Sequence, residues 1–312
     1  MDKEEKILEI INVNKSFGKT KIIKNLNLSV NSGEIFGFLG PNGAGKSTTI
    51  KMIVGLLSID SGDIYINGYS IKKDFKKAMK NVGAIVENPD LYEYLTGYEN
   101  LMLIARIYRV KKNKLNEIIE LMGLKNRIKD KVKKYSIGMK QRLGLAMALI
   151  REPKLLILDE PTNGLDPSGI HDLRDLLKRL AHDKGICIFV SSHLLSEIEL
   201  MCDRVAIINK GEIIKVSTIK DIEFGKSIIK NAEIYTLNTD NNEKAKIVLK
   251  SKNYKILESK ENLINIAVEE KDVKNLVGIL SDNKVSIYEI SKKKQSLEED
   301  FLNLTSGGSI NG

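Results

Sequence analysis

The chain has 312 residues, 42% of them hydrophobic, and a formal net charge of +9 from 50 Lys and Arg against 41 Asp and Glu. That length predicts two units, or one large unit with a smaller one, with enough apolar residues for a real core. No run approaches about 18 consecutive apolar residues, which excludes a spanning helix. The charged start Met1-Asp2-Lys3-Glu4-Glu5-Lys6 has no apolar segment of the kind a secretory signal needs.

The two cysteines, Cys187 and Cys202, adjoin apolar runs and have no metal-like spacing, so both are expected buried and reduced in a cytosolic protein. Lysines cluster at Lys72, Lys73, Lys76, Lys77 and Lys80, and again between Lys111 and Lys134. They suit either a solvated helical face or an anionic partner. The chain has no tryptophan and no basic motif interleaved with aromatics, so no nucleic-acid partner is expected.

In chain order, residues 7–13 and 22–30 alternate apolar and polar positions, as half-buried strands do. Asn31-Ser32-Gly33 is a turn. The apolar run Ile35–Leu39 then leads into Gly40-Pro41-Asn42-Gly43-Ala44-Gly45-Lys46-Ser47-Thr48, which fits G-x-x-x-x-G-K-[ST]. A helix-compatible run, Ser47–Val54, follows. In this strand–loop–helix setting the glycines let backbone N–H groups face anionic oxygens, and the helix adds its positive end. Lys46 suits β- and γ-phosphates, and the Ser47 hydroxyl suits Mg²⁺. The stretch therefore implies a nucleoside triphosphate.

Further along, Asp60–Asp63 is a turn, Ile64–Ile66 a strand, Asn67-Gly68 a turn and Val82–Val86 a short buried strand. From Gly97 to about Arg151 the pattern is helical: Leu101, Ile104, Ala105 and Tyr108 share one face, as do Leu115, Ile118, Ile119 and Met122. Buried strands are expected at 154–158 and 186–190, with a helix from about Ser168 to Ala181 between them. Another strand, Val205–Ile208, precedes a turn at Lys210-Gly211-Glu212 and a final strand. The fold class this predicts is α/β, a parallel-sheet core with an antiparallel β-layer and a helical subdomain inserted at about 97–150.

The strand Leu155–Leu158 ends in Asp159-Glu160. Downstream of a phosphate loop, Asp159 suits Mg²⁺ and Glu160 suits the water that attacks the γ-phosphorus. A boundary is placed near 220, giving units 1–220 and 221–312. The second reads as strand 233–238, helix 243–251, strands 254–259 and 263–268, helix 273–281 and strand 285–291. That is the βαββαβ order of a small α+β, ferredoxin-like unit. A short helix at Leu297–Leu304 and a flexible tail at Ser306–Ser309 close it.

Tyr135-Ser136-Ile137-Gly138-Met139-Lys140-Gln141-Arg142, just before the Asp159 strand, resembles the signature motif of ATP-binding-cassette (ABC) ATPases, usually LSGGQ. Asn163-Gly164-Leu165-Asp166 resembles the family's D-loop, Ser191-Ser192-His193 its switch histidine, and Phe17 the aromatic residue that stacks on adenine. The resemblance covers about 5–216. It implies that ATP and Mg²⁺ are the ligands and that two copies close head to tail around two ATP molecules. Each nucleotide would lie between the phosphate loop of one chain and Ser136 and Gly138 of the other. His193 would contact the γ-phosphate, while His171 and His182 are expected to be surface residues.

Two departures stand out. Ile137 and Met139 replace the usual Gly and Gln of the signature. Glu87, in Val86-Glu87-Asn88-Pro89, stands where the family places the Gln that senses Mg²⁺. A carboxylate binds Mg²⁺ more strongly than an amide but donates no hydrogen bond. Glu here resembles the lantibiotic-immunity and bacitracin-resistance transporters, and the C-terminal unit, with Ser296–Leu302, more weakly resembles their accessory domain. The resemblance implies the ATP-hydrolysing subunit of an exporter of antimicrobial peptides or drugs. It would be cytoplasmic and peripheral on the inner face of the cell membrane, with transmembrane permease chains docking near 87–109. Leu91, Tyr92, Tyr94 and Leu95 suit that groove. The alternative within the family is a soluble ATPase acting on ribosomes or nucleic acid, set against by the single cassette and the short gap between nucleotide motifs.

Overall fold

The computed structural model describes residues 5–219, 233–252, 254–260 and 263–292. The chain divides into two compact units, Met1–Ser217 and Thr218–Gly312.

In the first unit, β1 (Lys6–Phe17) and β2 (Thr20–Asn31) form a long antiparallel pair, joined by β4 (Ser61–Ile66) and β5 (Tyr69–Ser70) in the order β2-β1-β4-β5. Leu8, Ile10 and Val13 of β1 point into the core, as the alternation predicts. The second sheet holds β3 (Ile35–Leu39), β6 (Val82–Ile85), β7 (Leu155–Asp159), β8 (Cys187–Ser192), β9 (Arg204–Asn209) and β10 (Glu212–Thr218). Its order is β10-β9-β3-β8-β7-β6, and β9, β3, β8, β7 and β6 run parallel. β3, β7 and β8 are buried along their whole length, which is why they read as unbroken apolar runs. Phe36 and Phe38 of β3 meet Phe189 of β8 with centroids 6.0 and 5.3 Å apart. One apolar cluster joins these side chains to those of β1 and β2.

Helix α1 (Lys46–Ile53) follows β3. A short α2 (Phe75–Met79), absent from the sequence reading, lies between β5 and β6. The helical block is α3 (Gly97–Ile107), α4 (Lys112–Leu121) and α5 (Ile137–Leu149). Thr96 and Glu99 form a reciprocal cap at the start of α3, and Ser136 caps α5. α6 (Pro167–Lys178) continues as a π-helical turn, Arg179–Asp183, and a further unexpected helix, α7 (Leu195–Met201), separates β8 from β9.

The second unit is β11 (Glu233–Thr239), α8 (Asn242–Ser251), β12 (Lys255–Lys260), β13 (Leu263–Val268), α9 (Val273–Asp282) and β14 (Ile287–Lys292). Its sheet order is β12-β13-β11-β14, with every pairing antiparallel. Leu237, Ile264 and Ile266 pack against Leu249, Leu276 and Leu280 of the two helices. The last strand starts later than the sequence suggests, because the Val285 N–H bonds to the Leu280 carbonyl and closes α9. The helix expected at Leu297–Leu304 and the tail at Ser306–Ser309 lie outside the described residues.

Candidate active site

The site is built at the carboxyl ends of β3, β7 and β8, where an open parallel sheet exposes its loops. After β3 the chain turns through Gly40–Gly45 into α1. Gly45 has φ 109°, and a Cβ there would come within 2.6 Å of Ile23 Cδ1, so the turn requires glycine. Ala44 N–H closes the loop onto Pro41 O at 3.1 Å. Lys46 is only 6% exposed and folds back on the loop, donating to Gly40 O at 2.7 Å and Pro41 O at 3.4 Å.

Asp159 and Glu160 leave β7 side by side. β8 pairs Ser191 with Asp159, and the Ser191 hydroxyl donates to Asp159 Oδ1 at 2.6 Å while accepting the Glu160 N–H at 3.0 Å. One serine thus orients both acids. The Glu160 carboxylate reaches Lys46 Nζ with Oε1 at 3.3 Å and His193 Nδ1 with Oε2 at 2.7 Å. Asn42, Gly43, Lys46, Ser47, Thr48, Glu160 and His193 line one cavity of about 530 Å³, together with Phe17, Ile22 and Asn163. Phe17 is 52% exposed, with Lys15 Nζ 5.6 Å from its ring centroid.

Ser136 and Gly138 are elsewhere. They line a second cavity, of about 420 Å³, with Ile137, Gly164 and Leu165. The Ser136 hydroxyl accepts the Met139 N–H at 3.2 Å, so the exposed amino end of α5 is ordered around it. Glu87 lines neither cavity. It has φ 65°, a side chain 66% exposed, and an ion pair to Lys51 of α1 at 2.9 Å. A separate groove next to it, lined by Val86, Pro89, Ile104 and Tyr108, runs along α3 and α5; Leu91, Tyr92, Tyr94 and Leu95, expected to suit it, are not among its lining residues, Tyr92 and Tyr94 being exposed and Leu91 and Leu95 half-buried. His171 and His182 are exposed beside Asp175 and Asp203. Burial pushes both cysteine thiols well above their usual range.

Sequence reasoning missed Ser191 as a site residue, and also Glu197, whose carboxylate accepts from Thr162 at 2.6 Å and Ser192 at 2.9 Å to tie the loops after β7 and β8 together. Ser191 lies in the Ser191-Ser192-His193 motif, where the resemblance points to the histidine alone, and Glu197 carries no motif signal. Their roles come from the adjacency of β7 and β8, which is a property of the sheet order.

The family model described as ABC transporter matches residues 23–163. A protein of Bacillus subtilis (strain 168), the uncharacterized ABC transporter ATP-binding protein YhcH, is 48% identical over 300 residues, spanning 96% of each chain. The chain belongs to the ABC transporter ATP-binding proteins. The bacitracin transport ATP-binding protein BcrA of Bacillus licheniformis is 39% identical to this cassette, across 97% of this chain and 99% of its own. A solved ATP-binding cassette, described as a dimer in a post-hydrolysis state bound to ADP and Pi, superposes with a TM-score of 0.61 at 25% identity, covering 68% of this chain and 99% of that one. The ABC cassette is an ATPase that binds ATP and ADP, forms dimers, and couples ATP hydrolysis to transport through separate membrane subunits. Among the described residues, no helix is long and apolar enough to cross a membrane.

Proposed function

We propose that this cassette powers the export of an antimicrobial peptide or drug, as two copies that share two ATP molecules beneath separate permease chains. The observation that carries this reading is the division of the site. The phosphate loop, Glu160 and His193 converge on one cavity, while Ser136 and Gly138 line another. A serine hydroxyl and a glycine N–H at a helix amino end suit an anion, and a second copy can bring them to the γ-phosphate. The name of BcrA, bacitracin transport ATP-binding protein, supports the cargo class.

In this reading Phe17 stacks on adenine, and the N–H groups of Gly43–Thr48 cradle the phosphates. Lys46 leaves Gly40 O and Glu160 for the β- and γ-phosphate oxygens. Glu160, freed on one side and still held by His193, orients the attacking water and accepts its proton, and His193 adds a donor toward the γ-phosphate. The oxygen donors Ser47 and Asp159 fit Mg²⁺, which keeps several waters and takes few protein ligands. The ion would neutralise charge on the phosphate oxygens when bound. Glu87 could join them only by releasing Lys51. The groove along α3 and α5 is the docking place for a permease, which sets the chain peripherally on the inner membrane face.

Glu160→Gln tests the hydrolytic assignment. It preserves shape but cannot take a proton, so turnover should fall about 10²–10⁴-fold while ATP binding persists. Full turnover in that variant removes Glu160 as the catalytic residue.

A further inference from the structure

Phe17 closes β1 at the tip of a hairpin. It pairs with Thr20 of β2, and only Gly18 and Lys19 separate the two strands. Burial fixes a half-exposed ring at such a tip only weakly. Two residues earlier the situation is reversed. Lys15 is buried, with 7% of its surface exposed, and a buried ammonium needs partners. Its Nζ donates to Asp60 Oδ1 at 3.0 Å and to Ser58 Oγ at 3.4 Å. Asp60 also grips the backbone on either side of Lys15. Its Oδ2 accepts the Ser16 N–H at 2.7 Å, and its own N–H donates to Asn14 O at 3.0 Å. The ammonium is therefore fixed by the turn before β4. From that position it lies over the Phe17 ring at 5.6 Å from the centroid, within the range of cation–π attraction. Phe17 lines the cavity of Lys46, Glu160 and His193, whereas Lys15 is not among its lining residues. Stacking on a nucleobase takes one face of an aromatic ring, and the cation takes the other.

We propose that Lys15 is a positioning residue for the nucleotide base: anchored by Asp60 and Ser58, it braces one face of the Phe17 ring and leaves the other for adenine. This rests on the reading of Phe17 as the adenine platform. Lys15 acts through the ring and makes no contact with the nucleotide itself. Its contribution falls on affinity for the base, and the phosphate contacts and the chemistry at Glu160 are independent of it.

The test is a double-mutant cycle on the full chain: wild type, Lys15→Met, Phe17→Leu and the two together, with Lys15→Arg as the conservative form. Methionine keeps an unbranched stem without the charge, and arginine keeps a cation that stacks on aromatic faces. Two quantities are read well below the lowest melting temperature. One is the Kd for ATP, and the other is the constant with which inorganic tripolyphosphate, which has no base, competes for the site. Lys15→Met should weaken ATP binding about 3–10-fold and raise KM by the same factor at constant kcat. It should leave tripolyphosphate unchanged, and Lys15→Arg should restore ATP. With Phe17→Leu already present, Lys15→Met should change nothing further. Should Lys15→Met not fold, Asp60→Asn, which frees the ammonium from its anchor, takes its place in the cycle with the same expected signs. ATP affinity equal to wild type in Lys15→Met overturns the proposal. So does a loss that persists undiminished beside Phe17→Leu, or one that extends equally to tripolyphosphate, since Lys15 would then act through its charge on the phosphates. If Phe17→Leu alone binds ATP as wild type does, the reading of Phe17 fails, and the role of Lys15 falls with it.

Discussion

Glu160 takes a partner on each carboxylate oxygen, Lys46 on one and His193 on the other. The lysine partner is also the group best suited to phosphate, so arriving nucleotide competes with the carboxylate for Lys46 and leaves Glu160 bound to His193 alone. On the proposed reading, nucleotide binding at Lys46 is thereby tied to the release of one Glu160 oxygen. Glu87 is a different case. Its exposed pair with Lys51 contributes at most about 1 kcal/mol to folding, so Glu87→Gln should leave the melting temperature almost unchanged. If Glu87 links the nucleotide to the permease, the same substitution should reduce export by the assembled transporter. Export and ATPase both equal to wild type would leave Glu87 without a special role.

At the scale of elements, the long β1 is fastened to the turn before β4 by Asp60. Its carboxylate accepts from Lys15 Nζ at 3.0 Å and from the Ser16 N–H at 2.7 Å. The Lys15 hydrogen bond, then the Ser16 N–H, hold its pKa below the usual value. A carboxyl with a lower pKa folded than unfolded stabilises the fold above the unfolded value, and that contribution disappears as pH falls through the folded one. Denaturation midpoints followed from neutral pH downward should drop below about pH 4 in the wild type. The drop should be shallower for Asp60→Asn, which should start from a lower midpoint at neutral pH. Identical acid profiles would show that this clamp does not govern the acid limb. The same elements explain what the sequence made legible. Gly40–Thr48, Asp159 and Glu160 are legible because a phosphate loop and a buried strand ending in acids have their own residue patterns, whereas His193 is legible only through the family resemblance. β3, β7 and β8 were recognisable because doubly covered strands are apolar throughout. α2 and α7 are too short to show a helical period. Ser191 reaches both acids through the adjacency of β7 and β8, and Glu197 of α7 meets Thr162 across 35 residues, a pairing that no local pattern relates.

For the whole molecule, we propose a site divided between two chains, because the chain presents two separate cavities. One cavity has the lysine, the acid and the histidine, and the other has a helix amino end with a serine and a glycine. In that proposal two chains facing head to tail complete both sites at once, and the shared nucleotide is the adhesive of the dimer. On the same proposal, hydrolysis removes the bridging phosphate and loosens the pair, which would give permease chains a cycle of closing and opening. The second unit has its own core of Leu237, Ile264, Ile266 and helix leucines.

The most direct test of the shared site is the mass of the 35.0 kDa chain in solution with ATP, measured by analytical ultracentrifugation on Glu160→Gln with and without Ser136→Asp. Aspartate retains the helix cap but sets a negative charge against phosphate. Glu160→Gln should double in mass when ATP is added. The double variant should bind ATP with similar affinity yet stay at the monomer mass. A double variant that dimerises as readily as Glu160→Gln, or one that no longer binds ATP as a monomer, would contradict a site divided between two chains.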